Sequence, residues 1–250
     1  KPFQLRSVAL QLKPPALLQP PRSTPVVLRF NLDVFSWNTN RGDGKCDDAG
    51  VTLPAEMIGN QVTTEGITFN LGDRADGRMN AVSCDGQTVA LPDTKFNRVY
   101  LLAMAVHGDT EGEFAVDGRP VKLGVKDWSG YLGSWDNRVF EGGSVIVFGY
   151  SVDNPLARIT PGFIKRDPLA WFCSHRHFPD RDEEYRYSYL FKYRLDVPNG
   201  AKSLTLPKNN RIRVLAVSVA QNENDATVPV QPLYDDFAGR PAIQLNVAKD

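Results

Sequence analysis

The side chains most able to do chemistry are crowded into residues 38 to 50, where Asn38, Thr39, Asn40, Asp43, Asp47 and Asp48 supply oxygen donors and Gly42, Gly44 and Gly50 loosen the backbone. Hard cations such as Ca2+ take six to eight oxygens from carboxylates, amides and carbonyls, and glycines let a short loop fold around the ion. We therefore expect a structural Ca2+ held by Asn38, Asn40, Asp43, Asp47 and Asp48. The spacing is not that of an EF-hand. With Asn38 and Asn40 at positions one and three, position twelve is Ala49 rather than a bidentate Glu. The competing reading is an Asx-rich turn whose side chains cap their own amides. The Arg41-Gly42-Asp43 triplet carries no weight, because so short a string arises by chance.

Two further constellations follow. In Trp171 to His177 a strand period places Cys173, His175 and His177 on one face, and these are zinc-ligand types. The set is incomplete, since spacing identifies no fourth ligand; it reads as a polar patch shared with Asp180, Asp182 and Glu183. Between Asp127 and Arg138, aromatic residues mix with small and polar ones, a composition suited to stacking sugar rings and bonding their hydroxyls. Trp128, Tyr131, Trp135, Asp136 and Arg138, with Trp37, are the candidate carbohydrate contacts; the alternative is that Trp128 and Trp135 plug the end of a sandwich.

Signatures of catalysis are absent from the sequence. There is no Gly-x-Ser-x-Gly elbow, Walker loop, Rossmann fingerprint or His-Glu-x-x-His, and the neighbouring carboxylates Asp47-Asp48, Asp182-Glu183-Glu184 and Asp235-Asp236 do not by adjacency make a glycosidase pair.

The elements that must position these residues read as strands. Period-two or short apolar runs cover Val26 to Phe35, Gly66 to Leu71, Asn80 to Val82, Val89 to Leu91, Arg98 to Ala105, Glu113 to Val116, Val121 to Val125, Ser144 to Tyr150, Tyr185 to Val197, Leu204 to Leu206 and Ile212 to Ala220. Asp85-Gly86, Asp117-Gly118 and Glu141-Gly142-Gly143 separate several of them as tight turns. The predicted fold class is all-β, a β-sandwich or jelly roll with few or no helices. Tyr185, Tyr187, Tyr189, Phe191, Tyr193, Leu195 and Val197 share one face, which a sugar could use as a platform but which is expected to be a half-buried sandwich surface, where Tyr packs its ring and wets its hydroxyl. Residues 1–23 form an end strand and a linker with two proline pairs, 24–220 the module, and 221–250 a polar extension; the first residues look like the interior of a longer protein.

Bulk properties narrow the partners. The chain has 250 residues, 42% apolar, with 29 charges of each sign, so it can bury a full core and has no overall field for nucleic acid or an anionic membrane. No apolar stretch approaches bilayer length. Cys46, Cys84 and Cys173 leave one thiol unpaired; a Cys46–Cys84 bridge would suit a secreted or periplasmic setting, but buried free thiols are equally ordinary, and the compartment stays open.

The series Asp43 to Gly50, Pro54-Ala55-Glu56, Gly66-Ile67-x-Phe69, Asn80-x-Val82, Gly86 to Pro92, Tyr100 to Ala103 and Asp127-Trp128 resembles the galactose-binding-like jelly-roll module that accompanies many glycoside hydrolases. Pro161 to Asp167, Trp171 to His177, Tyr189-Leu190-Phe191-x-Tyr193 and Ile212 to Val217 are similar to the carboxyl-terminal region of bacterial α-mannosidases of glycoside hydrolase family 38. The departure is Cys46, which stands where that pattern has an aromatic. The resemblance implies a non-catalytic accessory module that recognises a glycan or polysaccharide, or else a structural domain packed on a hydrolase catalytic domain. That family's zinc and aspartate nucleophile lie in another domain, and no residue here matches them.

If the oxygen-rich loop binds Ca2+, an excess of about 100 times Kd should stabilise the fold by about 2.7 kcal/mol. Asp43→Ala should remove that gain in a thermal melt; a Tm unmoved by both EDTA and Ca2+ would count against the site.

Overall fold

The computed structural model describes residues 20–140, 156–165, 167–223 and 225, with the backbone alone for 134–140 and 156–164. In chain order its strands are β1 (Ser23–Val26), β2 (Phe35–Ser36), β3 (Leu53–Pro54), β4 (Gln61–Thr64), β5 (Ile67–Asn70), β6 (Val82–Ser83), β7 (Thr88–Ala90), β8 (Arg98–Ala105), β9 (Thr110–Val116), β10 (Arg119–Val125), β11 (Gly133–Phe140), β12 (Leu156–Ile164), β13 (Leu169–His177), β14 (Asp182–Asp196), β15 (Ser203–Thr205) and β16 (Ile212–Ala220). One 3-10 turn, Ala55–Met57, follows β3, and there is no α-helix among the described residues. The all-β expectation holds.

The main sheet runs β1-β16-β8-β14-β13, with β6 also paired to β16, and every pairing in it is antiparallel. A second antiparallel sheet, β10-β9-β15-β7, lies against one face. At the centre, β8 is a nearly unbroken apolar run, and its period of two divides it cleanly. Val99, Leu101, Ala103 and Ala105 join Phe114, Val116, Val89 and Leu204 of the second sheet, whereas Tyr100, Leu102 and Met104 face the opposite side. That opposite side is roofed by the segment carrying β2 to β5, through Phe35, Leu53, Ala55, Ile58, Val62, Ile67 and Phe69. At β8 both faces of the main sheet are thus buried, which explains why this strand lacks the polar alternation of a half-wet antiparallel strand.

The tyrosine stripe behaves as expected from Tyr189 onward. Tyr189, Phe191, Tyr193, Leu195 and Val197 all enter the sandwich core, and the Tyr193 hydroxyl accepts from Lys126 N at 2.8 Å. Asp117-Gly118 closes β9 and β10 with positive φ at both residues, +46° and +77°, the signature of a type I′ hairpin.

Some elements differ from the sequence reading. The run from Val26 to Phe35 pairs with β16 only as far as Val26, because β6 occupies the same edge of β16 from Val214 onward. Strand β4 pairs with β5 across Glu65-Gly66, a weaker hairpin signal than Asn-Gly, and β11 pairs with β12 over a polar stretch read as a loop. The expected strands at 3 to 12 and 144 to 150 lie outside the described residues. Cys46 and Cys84 are both free and buried, and they sit in the clusters on opposite faces of the main sheet, so they do not form the bridge considered from sequence.

One buried amide ties the roof to the sheet. Asn80, fully buried, accepts from Val34 N at 2.9 Å and donates to Asp33 Oδ1 at 2.5 Å and to Arg78 O at 2.8 Å, while its backbone N–H donates to Leu32 O. Asn80→Ala should cost about 3 kcal/mol in urea unfolding, since it strands a buried N–H and a buried carboxylate. A loss under about 0.5 kcal/mol, the range of an ordinary surface change, would show that this latch is dispensable.

Candidate functional site

Strand β13 is one edge of the main sheet, and its Ala170 and Trp171 pack against the roof-side cluster. Thr52 N donates to His177 O at 3.0 Å and His177 N to Thr52 O at 3.1 Å, so the approach to β3 is stitched to the end of β13. Five residues later Trp171 Nε1 donates to Met57 O at 3.1 Å. Leu53 and Ala55 are anchored in the core between these two ties, and Ile58 just beyond the second. This bracketing holds Glu56 over β13, a placement that no local pattern around Glu56 signals.

Glu56, His175 and His177 thereby converge, one ligand atom from each lying within 4.8 Å of the others. The His177 ring is fully buried. Its Nδ1 is 2.9 Å from Ser36 Oγ, which is itself 2.5 Å from Thr52 Oγ1. Its Nε2 lies 3.4 Å from Glu56 Oε1 and 3.5 Å from Asp182 Oδ1, and has no hydrogen-bond partner. Both Glu56 oxygens are likewise buried and unpartnered. Burial holds the His177 imidazole below its usual range, against the pull of Glu56 and Asp182, and favours the neutral ring. Asp182 is already committed to Arg41, whose Nε and Nη2 meet its two oxygens at 2.6 and 3.2 Å; that contact holds the carboxyl below the ordinary range. Cys173 is buried behind the histidines, Sγ 3.5 Å from His175 Nδ1, and its thiol is raised by burial. Of the residues grouped from sequence near the histidines, Asp182 joins the patch, Glu183 pairs with Arg176, and Asp180 pairs with Arg181.

The oxygen-rich loop is arranged differently from the expected cage. Asn38 Oδ1 accepts from Arg41 Nη2 at 2.6 Å, Asn40 donates to Asp76, and Asp47 Oδ1 caps Ala49 N and Val51 N in an Asx turn. Asp48 points to solvent, 3.7 Å from His107 Nε2. Asp43 accepts from Gly77 N at 2.8 Å and neighbours the buried Asp33, whose Oδ2 has no partner. Burial first, and the nearby Asp43 among the lesser causes, push Asp33 from 3.8 up to about 6.

Burial removes Trp128 from the expected sugar platform. Trp128 is 2% exposed in the roof-side cluster, its ring covered by the Arg176 guanidinium at 5.6 Å, so no face is left for a sugar. Trp37 is half-buried, with Nε1 donating to Arg74 O at 2.7 Å and the Arg74 guanidinium 5.7 Å from its ring. Trp135, Asp136 and Arg138 lie on β11, and their side chains fall outside the described part of the structure. Tyr131 is exposed.

The exposed aromatics gather elsewhere. Tyr131, Phe172, Tyr185 and Tyr187 are the exposed aromatic side chains among the described residues, and three of them stand on the β13–β14 pair. Tyr131 is drawn to the same edge because Gly130 N donates to Tyr187 O at 3.1 Å and Tyr189 Oη donates to Gly130 O at 2.6 Å. Cys173 pairs with Ser188 but His175 with Glu184, so residues 185–187 bulge opposite Ser174. Tyr185 adopts φ +59°, a conformation that bulky residues rarely take, and is 81% exposed.

Trp128→Ala should destabilise the protein by about 3 to 5 kcal/mol, the cost of emptying a buried aromatic site. A variant with unchanged urea midpoint would overturn the core assignment of this ring.

No curated protein matches the chain. Residues 22–223 match the AziU2-like beta-sandwich domain, a span that takes in the main sheet, its roof and the β13–β14 edge. The chain belongs to the AziU2-like beta-sandwich domain family.

Proposed function

We propose that this β-sandwich is a non-catalytic, glycan-recognising accessory module of the kind carried by glycoside hydrolases, the resemblance to family 38 α-mannosidases naming the parent class. The observation that carries the reading is the concentration of exposed aromatics on the bulged β13–β14 edge. Aromatic faces exposed together in water offer an apolar surface to the C–H face of a sugar ring, while hydroxyl tips and neighbouring polar groups bond its hydroxyls. Tyr185 and Tyr187 are the principal stacking candidates, with Phe172 and Tyr131 flanking them. Holding a bulky residue at positive φ costs on the order of 1 to 3 kcal/mol, which is consistent with a position kept for binding. The Ca2+ expected in the oxygen-rich loop would, in this reading, be structural and held through Asp43 and the buried Asp33.

A second reading, an interface domain packed on a hydrolase catalytic domain without glycan binding of its own, draws support from the burial of Trp128 and from the same edge, since β13 is an open sheet edge.

Retention of the full chain in native gels containing mannan or other polysaccharides separates the two. Isolated-module affinity should be millimolar to micromolar, about 4 to 8 kcal/mol, because few atoms are buried and polar desolvation offsets much of the gain. Tyr185→Ala should abolish retention and leave Tm unchanged or slightly raised. Retention that survives both Tyr185→Ala and Tyr187→Ala removes this platform, and absence of retention on every glycan tried favours the interface domain.

A further inference from the structure

We propose that Glu56, His175 and His177 form a binding site for one borderline divalent transition metal of the Zn2+ class, distinct from the oxygen-rich loop and from the aromatic edge. Two imidazoles and one carboxylate suit Zn2+, Fe2+, Co2+, Ni2+ or Cu2+, whereas Ca2+ and Mg2+ prefer all-oxygen shells.

The geometry supports this in three ways. First, ligands about 2.0 to 2.1 Å from a tetrahedral metal stand about 3.4 Å apart. Glu56 Oε1 and His177 Nε2 are already 3.4 Å apart, and half-exposed His175 has freedom to close the remaining gap within the 4.8 Å cluster.

Second, the site contains polar atoms that nothing else satisfies. A buried carboxylate with both oxygens unpartnered faces a fully buried ring nitrogen that is also unpartnered. Leaving such groups without partners carries the full cost of their desolvation. A cation between them satisfies both at once. Asp182 is not free to do so, because Arg41 already engages both its oxygens.

Third, the outer shell has the form that ligating histidines use. Metal-binding imidazoles give their other N–H to a fixed acceptor, which sets the tautomer and aims the lone pair. With Nδ1–H donated to Ser36 Oγ, and Ser36 backed by Thr52, the Nε2 lone pair of His177 points at Glu56. His177 and Glu56 close the buried side, and His175 forms the solvent-facing side. Three protein ligands with one side open leave a fourth position for water or an exogenous ligand.

The test uses the whole chain stripped with a chelator and titrated with Co2+, read by its visible absorption, followed by displacement with Zn2+. We expect saturation at one equivalent, displacement by Zn2+, and no competition from excess Ca2+. Since changes to outer-shell partners alone cost about 10- to 100-fold in affinity, His175→Ala and Glu56→Gln should each cost more than about 10-fold, and Ser36→Ala about 10-fold. His175 is half-exposed and Glu56→Gln preserves shape, so circular dichroism should report folded variants; Asp43→Ala should bind as the parent does. No saturable uptake of Co2+ or Zn2+ by the folded parent would overturn the proposal, leaving a simple histidine–carboxylate pair. Uptake unchanged in both His175→Ala and Glu56→Gln, or lost in Asp43→Ala instead, would also overturn it.

Discussion

A sheet with two apolar faces governs this molecule. The central strands β8, β14 and β16 carry large side chains on both sides, so a second sheet satisfies only half of the requirement. The other half falls to the stretch from Val34 to Phe69, which has too few residues in ladders to stand alone and is held by burial of Phe35, Leu53, Ile67 and Phe69. Hydrophobic burial is non-directional, so it can press this roof onto the sheet without fixing its register. The register comes from polar contacts: Asn80 to Val34 and Asp33 at one end, Thr52 to His177 at the other, and Arg41 to Asp182 across the surface.

Those polar ties explain why chemistry collects at the β13 edge. An edge strand has unpaired backbone groups on its outer side, and here the roof takes up part of them through Thr52 while delivering Glu56 above His175 and His177. Arg176, the residue between the two histidines, points to the flank instead, lying over Trp128 and Phe178 and pairing with Glu183. A little further along, the pairing of β13 with β14 breaks into a bulge, and the aromatic stripe that is buried from Tyr189 onward emerges into solvent at Tyr187 and Tyr185. One strand pair therefore carries a core face, a polar cluster and an exposed aromatic surface.

Buried charge is handled consistently across the sheet. Lys192 is almost wholly buried on the roof side, yet its Nζ pairs with Glu65 and lies 5.5 Å from the Tyr100 ring, so the alkyl stem packs while the ammonium is compensated. Glu65 reaches it from the β4–β5 turn, at φ +48°. The unpartnered oxygens of Glu56 and Asp33 depart from this rule; Glu56 lies beside His177 and Asp33 beside Asp43.

The residues alone determined the class of fold and much of its strand content. The period of β8, that of β14 from Tyr189 onward and the Asp117-Gly118 turn are local properties set by side-chain alternation and positive φ, and they persist in the structure, whereas bulges interrupt the period of β14 at residues 185–187 and that of β16 between Val214 and Ala216. Sequence also placed Cys173, His175 and His177 on one strand face, because a period of two is a local fact. It could not supply Glu56, which lies well over a hundred residues away and reaches the histidines only through the Thr52 and Met57 ties. Nor could it tell which aromatics are covered. Trp128 and Tyr185 are both large aromatics in polar surroundings, and only the packing of Arg176 and the roof-side cluster on one, and a bulge beneath the other, made the first a core residue and the second a surface one. The oxygen-rich loop shows the same limit: composition revealed the donors, but hydrogen bonds to Arg41 and to the loop's own amides decided where they point. Long-range contacts select among locally equivalent possibilities, and neither the convergence of Glu56 on the histidines nor the exposure of the aromatic edge is encoded in any single segment.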